Sequence, residues 1–64
     1  MIIVGTEVRI KEEQKWFAEE FNLTLGKVYK VVKTNKFWCT ATLENDLGKL
    51  MGVDTERLEL VKNS

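Results

Sequence analysis

The sequence predicts one small, mainly β domain: a five-stranded barrel with one short helix. Its 64 residues allow a single domain. Several short stretches alternate polar and apolar residues, which is typical of half-buried strands. Turn-forming residues separate these stretches, and closing short strands into a barrel removes the exposed edges that promote aggregation. We therefore expect residues 1–64 to form one barrel domain, with a polar tail at residues 62–64.

The composition limits what can stabilise so small a domain. The chain has one cysteine, Cys39, and no histidine. An intrachain disulfide and a zinc site of the usual Cys/His kind are therefore excluded, and the core must stabilise the fold alone. A lone thiol suits a reducing cytoplasm, and the apolar residues 1–4 are too few for a signal peptide or a membrane span. We expect a soluble, cytoplasmic protein without a metal or cofactor.

A strand and a helical loop are predicted at the beginning of the chain. Polar and apolar side chains alternate over residues 7–11, the period of a half-buried strand. Aromatic residues recur at helical spacing over residues 12–21, and Asn22 can end a helix in the left-handed conformation. No Ser, Thr or Asp stands at the helix start to cap it. The sequence predicts a short helix within a long first loop.

Two strands joined by a tight turn follow. Residues 27–33 are rich in β-branched and aromatic side chains, and Asn35 with Lys36 favours a turn. Residues 37–44 alternate throughout, with one face formed by Phe37, Cys39, Ala41 and Leu43 and the other by Trp38, Thr40, Thr42 and Glu44. The first face is apolar, so Cys39 is expected to be a small buried hydrophobe.

The remaining elements complete a recognisable order. Residues 45–48 place Asn first and Gly fourth, as in a type I turn. Residues 49–53 form a fourth strand, 54–57 a one-turn helix capped by the Asp54 side chain, and 58–61 the last strand. This order is the connectivity of an SH3-like barrel. The rival oligonucleotide-binding barrel normally has its helix between the third and fourth strands, which a short turn joins here.

Three stretches resemble small SH3-like proteins of tailed phages and prophages. Gly26-Lys27-Val28-Tyr29-Lys30-Val31 resembles their Gly-x-x-Tyr-x-Val strand. Asn45-Asp46-Leu47-Gly48 is similar to their Asn-Asp-x-Gly turn, and Arg57-Leu58-Glu59-Leu60-Val61 to their closing Arg-Phe-Glu-x-Val, with Leu in place of Phe. The resemblance implies the fold and a phage or prophage origin. It implies no particular activity, because these motifs are fold signatures.

The sequence offers no catalytic constellation. Without histidine nothing of the usual kind activates Cys39, and the scattered glycines form no phosphate loop. The acidic pairs at residues 12–13 and 19–20 are interpreted as a solvated helix face, and residues 44–46 as turn geometry rather than a calcium loop. We therefore expect no enzymatic activity and no small-molecule substrate.

Aromatic residues provide the leading hypothesis, a surface that binds a host protein or a second copy of the chain. In an SH3-like barrel the long first loop and the first hairpin turn lie side by side. Trp16 or Phe17 would meet Trp38 there, and an exposed aromatic patch of this kind commonly marks a protein interface. Tyr29, Phe21 and one of Trp16 or Phe17 are expected in the core. The competing interpretation, equally weighted, is that Trp38 closes one end of the core.

Nucleic-acid binding is the alternative hypothesis. Lysines recur every three residues from Lys27, and on an extended strand Lys30 and Lys36 point the same way. With Trp38 as a stacking platform they would form a small basic patch. Ten Lys/Arg balance ten Asp/Glu, however, and nucleic-acid binders usually carry a positive excess. Protein binding is therefore preferred, and no membrane partner is expected.

Overall fold

The computed structural model describes residues 2–61, so the predicted tail at 62–64 lies outside them. The fold is mainly β, as predicted. A 3-10 turn (Glu12–Gln14) and the helix α1 (Lys15–Glu20) lie in the first loop, and a second 3-10 turn (Thr55–Arg57) precedes the last strand. In chain order the strands are β1 (Glu7–Ile10), β2 (Tyr29–Lys30), β3 (Lys33–Asn35), β4 (Thr40–Glu44), β5 (Leu50–Asp54) and β6 (Leu58–Leu60).

The strands form two antiparallel sheets of three strands each. One has the order β2-β1-β6 and the other β3-β4-β5. A single five-stranded barrel was predicted, but the predicted strand at residues 27–33 is divided between the two sheets. The backbone changes partner there, because the Val31 N–H donates to the Thr6 carbonyl (3.0 Å) while the Val32 N–H donates to the Thr42 carbonyl (2.8 Å).

The core receives apolar side chains from both sheets and from the first loop. β1, β4 and β5 contribute residues at alternating positions, as the period-two pattern predicts. α1 adds Phe17 and Ala18. The largest fully buried side chains are Ile10, Leu43, Val8, Val31 and Val53. The fully buried part of the core is therefore aliphatic, and four of the six aromatic side chains are exposed.

The first loop agrees with its predicted local structure. No side chain caps the start of α1, and Asn22 has the left-handed backbone expected after a helix end (φ 60°). Tyr29 is buried as predicted, whereas Phe21, also predicted to be core, is partly exposed and packs on the Phe17 ring at 4.8 Å.

Within residues 2–61, no helix is long and apolar enough to cross a membrane.

The first hairpin departs most from the prediction. A strand beginning at Phe37 was expected, but β4 begins at Thr40 and residues 36–39 form the turn. The Asn35 side chain causes this, because its Oδ1 accepts the backbone N–H groups of Phe37 (3.0 Å) and Trp38 (3.2 Å). Local bonding of this kind competes with strand pairing and keeps the backbone curved.

The longer turn changes the surroundings of the cysteine. Cys39 takes a left-handed backbone conformation (φ 53°) and is exposed. The prediction that it is buried was therefore wrong, and Phe37 is likewise exposed. Ala41 and Leu43, which continue the predicted apolar face, are fully buried. Only the part of that face inside β4 belongs to the core.

The second hairpin turn is formed as predicted. The Gly48 N–H donates to the Asn45 carbonyl (3.0 Å), and Gly48 has a positive φ of 79°. The Asn45 Oδ1 accepts two further backbone N–H groups, from Leu47 and Lys49, at 3.0 Å each. The Asn side chain thus satisfies backbone donors that the strand ladder cannot reach.

Asp46 connects this turn to the first loop. Its carboxylate accepts hydrogen bonds from the hydroxyls of Thr24 (2.6 Å) and Tyr29 (2.8 Å) and from the Lys27 ammonium (2.7 Å). The Asp46 N–H also donates to the Asn22 carbonyl (2.9 Å). Two of the motifs identified in the sequence, residues 26–31 and 45–48, therefore contact each other through Tyr29 and Asp46. Their shared role is to hold the loop against the hairpin.

Acid is expected to weaken this connection. The hydrogen bond from Lys27, and then those from Thr24 and Tyr29, lower the pKa of Asp46 from 3.8 to about 2. A carboxyl whose pKa is lowered by folding stabilises the protein fully above its unfolded pKa and loses that contribution as pH falls towards the folded pKa. We expect Asp46→Asn to lower the melting temperature at neutral pH, with the difference from wild type shrinking between about pH 4 and pH 2.

The check is a series of thermal melts of both proteins from pH 7 to pH 2. Asp54→Asn, which removes an exposed carboxylate outside this cluster, controls for the change in net charge. A gap between wild type and Asp46→Asn that stays constant down to pH 2 would contradict this role for Asp46.

The last 3-10 turn lacks the predicted cap. Asp54 makes no side-chain hydrogen bond to the turn. The Thr55 N–H donates instead to the Cys39 carbonyl (3.0 Å), across the gap to the first hairpin. Backbone pairing with another segment thus replaces the local cap and leaves the Asp54 carboxylate exposed to solvent.

Candidate functional site

The first hairpin turn presents two adjacent aromatic side chains to solvent. Phe37 is 82% exposed and Trp38 is 67% exposed. Their ring centroids are 4.9 Å apart and their planes meet at 82°, the edge-to-face arrangement that aromatic pairs prefer. The sequence left open whether Trp38 is exposed or closes one end of the core; the structure shows that it is exposed. Two large exposed rings side by side are unusual for a surface with no partner.

A third exposed ring comes from the first loop. Trp16 on α1 is 58% exposed, whereas the neighbouring Phe17 is only 8% exposed. Phe17, predicted with Trp16 as a contact residue, is therefore a core residue that supports the surface from below. The Arg57 guanidinium lies over both rings, 5.0 Å from the Trp16 centroid and 4.6 Å from that of Phe17.

The last 3-10 turn contacts both of these regions. At its start, Thr55 bonds to Cys39 of the first hairpin turn. At its end, the Arg57 guanidinium donates to Gln14 Oε1, and the Arg57 carbonyl accepts the Lys11 N–H (3.0 Å). We use the term aromatic surface for Trp16, Phe37 and Trp38 together with this connecting turn.

Trp16 or Phe17 was expected to meet Trp38 at the surface. The last 3-10 turn links the two regions, since Thr55 bonds to Cys39 of the first hairpin turn and Arg57 lies over Trp16. The two tryptophans do not pair with each other, since Trp16 packs edge-on against Phe17 and Trp38 against Phe37. Phe37 was missed as a contact residue because strand alternation assigned it to the core.

Two hollows border the aromatic surface. An open apolar cleft of about 660 Å³ has walls that include Ile2, Ile3 and Cys39. A smaller polar depression of about 230 Å³ is lined by Gln14, Asp54, Glu56 and Arg57. Sequence reasoning missed both hollows. The apolar residues 1–4 were the only signal, and they were considered only as a possible targeting segment.

The lysines proposed for nucleic-acid binding are not brought together by these strands. Lys27 is bound to Asp46, and the same contact raises its pKa. Lys30 is in β2, opposite Glu7 of β1. Lys36 is in the first hairpin turn, beyond β3 of the other sheet. Because the predicted strand is interrupted between β2 and β3, the strand period no longer places Lys30 and Lys36 on one face.

Neither a metal centre nor a relative assists the assignment of function. Among residues 2–61, no group of three or more Cys, Asp or Glu side chains is placed to hold a metal ion. Comparison with family models, with curated proteins and with solved structures finds no match to this chain.

Proposed function

We propose that this protein is a small non-catalytic binding module whose aromatic surface docks onto another protein. The observation that carries the proposal is the Phe37–Trp38 pair, two large rings held edge to face at a hairpin tip. Tryptophan and tyrosine dominate binding energies at protein interfaces, because they bury a large area with few rotatable bonds. Trp16 and the last 3-10 turn extend the same surface.

The proposal includes a finer fold. The two sheets are taken as the two halves of an SH3-like barrel, with β2 and β3 as one strand that crosses between them. A long helical first loop, two hairpins and a 3-10 turn before the last strand support this interpretation. The resemblance of three motifs to small phage and prophage proteins supports an accessory role in a bacterial cytoplasm, with a host protein or a second copy as partner.

The charge distribution favours a protein over nucleic acid. The net charge is zero, and Lys27 is already paired with Asp46. The depression beside Trp16 contains two exposed carboxylates, Asp54 and Glu56, which would repel phosphate. Catalysis is not proposed, because the chain has no histidine and its single thiol has no base beside it in sequence.

Trp38→Ala is expected to abolish partner capture while leaving the fold intact. An exposed side chain contributes little to stability, so the melting temperature should change by no more than about 2 °C, the equivalent of less than 0.5 kcal/mol. Loss of an interface tryptophan typically costs about 2 kcal/mol or more of binding free energy, about thirtyfold in affinity. Thermal melts and capture from a host lysate, followed by mass spectrometry, measure the two effects.

Leu47→Ala is the matched control, since Leu47 is an exposed apolar residue at the other hairpin turn. Sedimentation of wild type and Trp38→Ala tests a second copy as the partner. Capture or self-association that Trp38→Ala leaves unchanged would rule out the aromatic surface. A variant that unfolds would show that Trp38 is structural.

A further inference from the structure

Unpaired carboxylates lie beside the aromatic surface. Asp54 and Glu56 line the polar depression and are exposed. Within residues 2–61 the ion pairs are Arg9 with Glu59 (3.7 Å) and Lys27 with Asp46 (2.7 Å), so no side-chain cation of these residues forms an ion pair with Asp54 or Glu56. Charged groups that border an interface set which partners are attracted and which are repelled.

Arg57, the one cation among the described residues that line the depression, is already engaged. Arg57 donates to Gln14 and lies over the rings of Trp16 and Phe17. Its contacts are therefore with an amide and two aromatic faces. Two carboxylates against one cation leave the depression with a net negative charge, close to Trp16.

Further charges of both signs surround this region. The 3-10 turn before α1 adds Glu12 and Glu13. The nearby cations are Lys11, whose N–H bonds to the Arg57 carbonyl, and the exposed Lys15 and Lys36, next to Trp16 and Phe37 in the chain. Over the whole chain, ten Lys/Arg balance ten Asp/Glu. The preference for a cation thus depends on the depression, where the carboxylates are concentrated.

The exposed rings favour the same kind of ligand. The face of an indole ring attracts cations, and tryptophan does so best among the aromatic residues. Arg57 over Trp16 is an example of this contact within the protein. Trp38 is 67% exposed and pairs edge to face with Phe37, so much of the pair is open to a partner. Carboxylates and indole faces are different chemical groups, and both bind ammonium and guanidinium ions.

We propose that the aromatic surface recognises a cationic segment of a partner protein, with a Lys or Arg side chain at Asp54 and Glu56 and its neighbours on Trp38. The inference rests on the proposed protein-binding function and names the chemistry of the partner. An anionic segment or a nucleic-acid backbone would meet the unpaired carboxylates. A second copy of the chain fits only if it presents a basic segment to this face.

Synthetic peptides test the proposal directly. The probes are three eight-residue peptides that alternate alanine with arginine, with lysine or with glutamate, titrated into isotope-labelled protein at low salt. We expect the two cationic peptides to bind and to shift the amide signals of residues 14–16, 37–39 and 54–57. The glutamate peptide should not bind, and binding should weaken as salt is added, because exposed charges are screened.

Matched variants identify the residues responsible. We expect the double variant Asp54→Asn/Glu56→Gln to lower the affinity for the arginine peptide by about tenfold or more. Trp38→Ala alone should lower this affinity by a similar factor. The double variant Glu44→Gln/Glu59→Gln makes the same change in net charge elsewhere. Glu44 is the last residue of β4 and Glu59 is in β6, and neither lines the depression. This control should change the affinity by less than about twofold, since it leaves the depression intact.

The outcomes separate this inference from the proposed function. The cationic preference is overturned if the glutamate peptide binds as well as the arginine peptide, if an oligonucleotide binds more tightly than either, or if the Asp54/Glu56 variant binds like wild type. If that variant still captures the partner protein while Trp38→Ala does not, protein binding stands and the cationic inference fails. If Trp38→Ala also captures the partner protein as well as wild type does, both the proposed protein-binding function and the cationic inference fail.

Discussion

Leu43→Ala is expected to remove much of the stability of this domain. Leu43 is in β4 and is 0% exposed, among the largest fully buried side chains. Truncating a buried leucine costs about 2–5 kcal/mol, through lost apolar burial and the cavity left behind. A 64-residue domain has about 3–10 kcal/mol in total, at the typical 0.05–0.15 kcal/mol per residue. No disulfide is present to limit the loss.

The effect is measured by denaturant unfolding of wild type and variant. Leu50→Ala is the control, because Leu50 is in the adjacent strand β5 but is 64% exposed. The two substitutions remove the same atoms and differ mainly in burial, so Leu50→Ala should cost less than about 1 kcal/mol. Similar losses at the two positions would show that the core is not packed around β4.

Gly48→Val is expected to destabilise the domain by about 1 kcal/mol or more. Gly48 ends the Asn45–Asp46 turn with a φ of +79°, a conformation that strains any β-branched residue. Space is not the obstacle, since a Cβ at this position would lie 3.6 Å from Glu44 Oε1, an ordinary contact. The cost comes from the backbone and from the turn that orients Asp46 towards the first loop.

Thermal melts check this expectation, with a predicted decrease of about 4–8 °C per kcal/mol for a domain of this size. Gly48→Asn should lose less than the valine variant, because asparagine tolerates the left-handed region. Gly52→Ala is the second control, since Gly52 lacks a positive φ and a Cβ there would have only ordinary contacts. An unchanged melting temperature for Gly48→Val would mean that the turn does not require the left-handed conformation.

Local patterns predicted most of the fold. Alternation over residues 7–11 corresponds to β1, and alternation over residues 37–44 predicted β4, which begins later than expected, at Thr40. The Asn45–Gly48 turn formed as its residue types require. Such elements depend on near neighbours along the chain, so their signals are contained in a short stretch of sequence. The interruption between β2 and β3 could not be predicted this way. It depends on Val31 and Val32 bonding to different sheets, which are partners distant in sequence.

The candidate site was predicted in part for the same reason. Trp38 and either Trp16 or Phe17 were singled out, and the sequence did not decide which of the latter two is core. Phe37 was assigned to the core. Phe37 is exposed because Asn35 bonds to two amides of its own turn and delays the start of β4. The acidic depression could not be foreseen, since it needs Gln14 of the first loop beside Arg57 of the last 3-10 turn.

The sequence by itself determined that this is a small, mainly β domain without histidine chemistry or a disulfide, because composition and short-range periodicity contain that information. It also determined the turn residues and most buried strand positions. The tertiary structure alone decided which aromatic rings face solvent and that Asp46 joins the first loop to the second hairpin. It also decided that Asp54 and Glu56 share a depression with Arg57, whose guanidinium lies over Trp16. These features depend on contacts between segments far apart in the chain, and a local pattern does not specify how such segments pack.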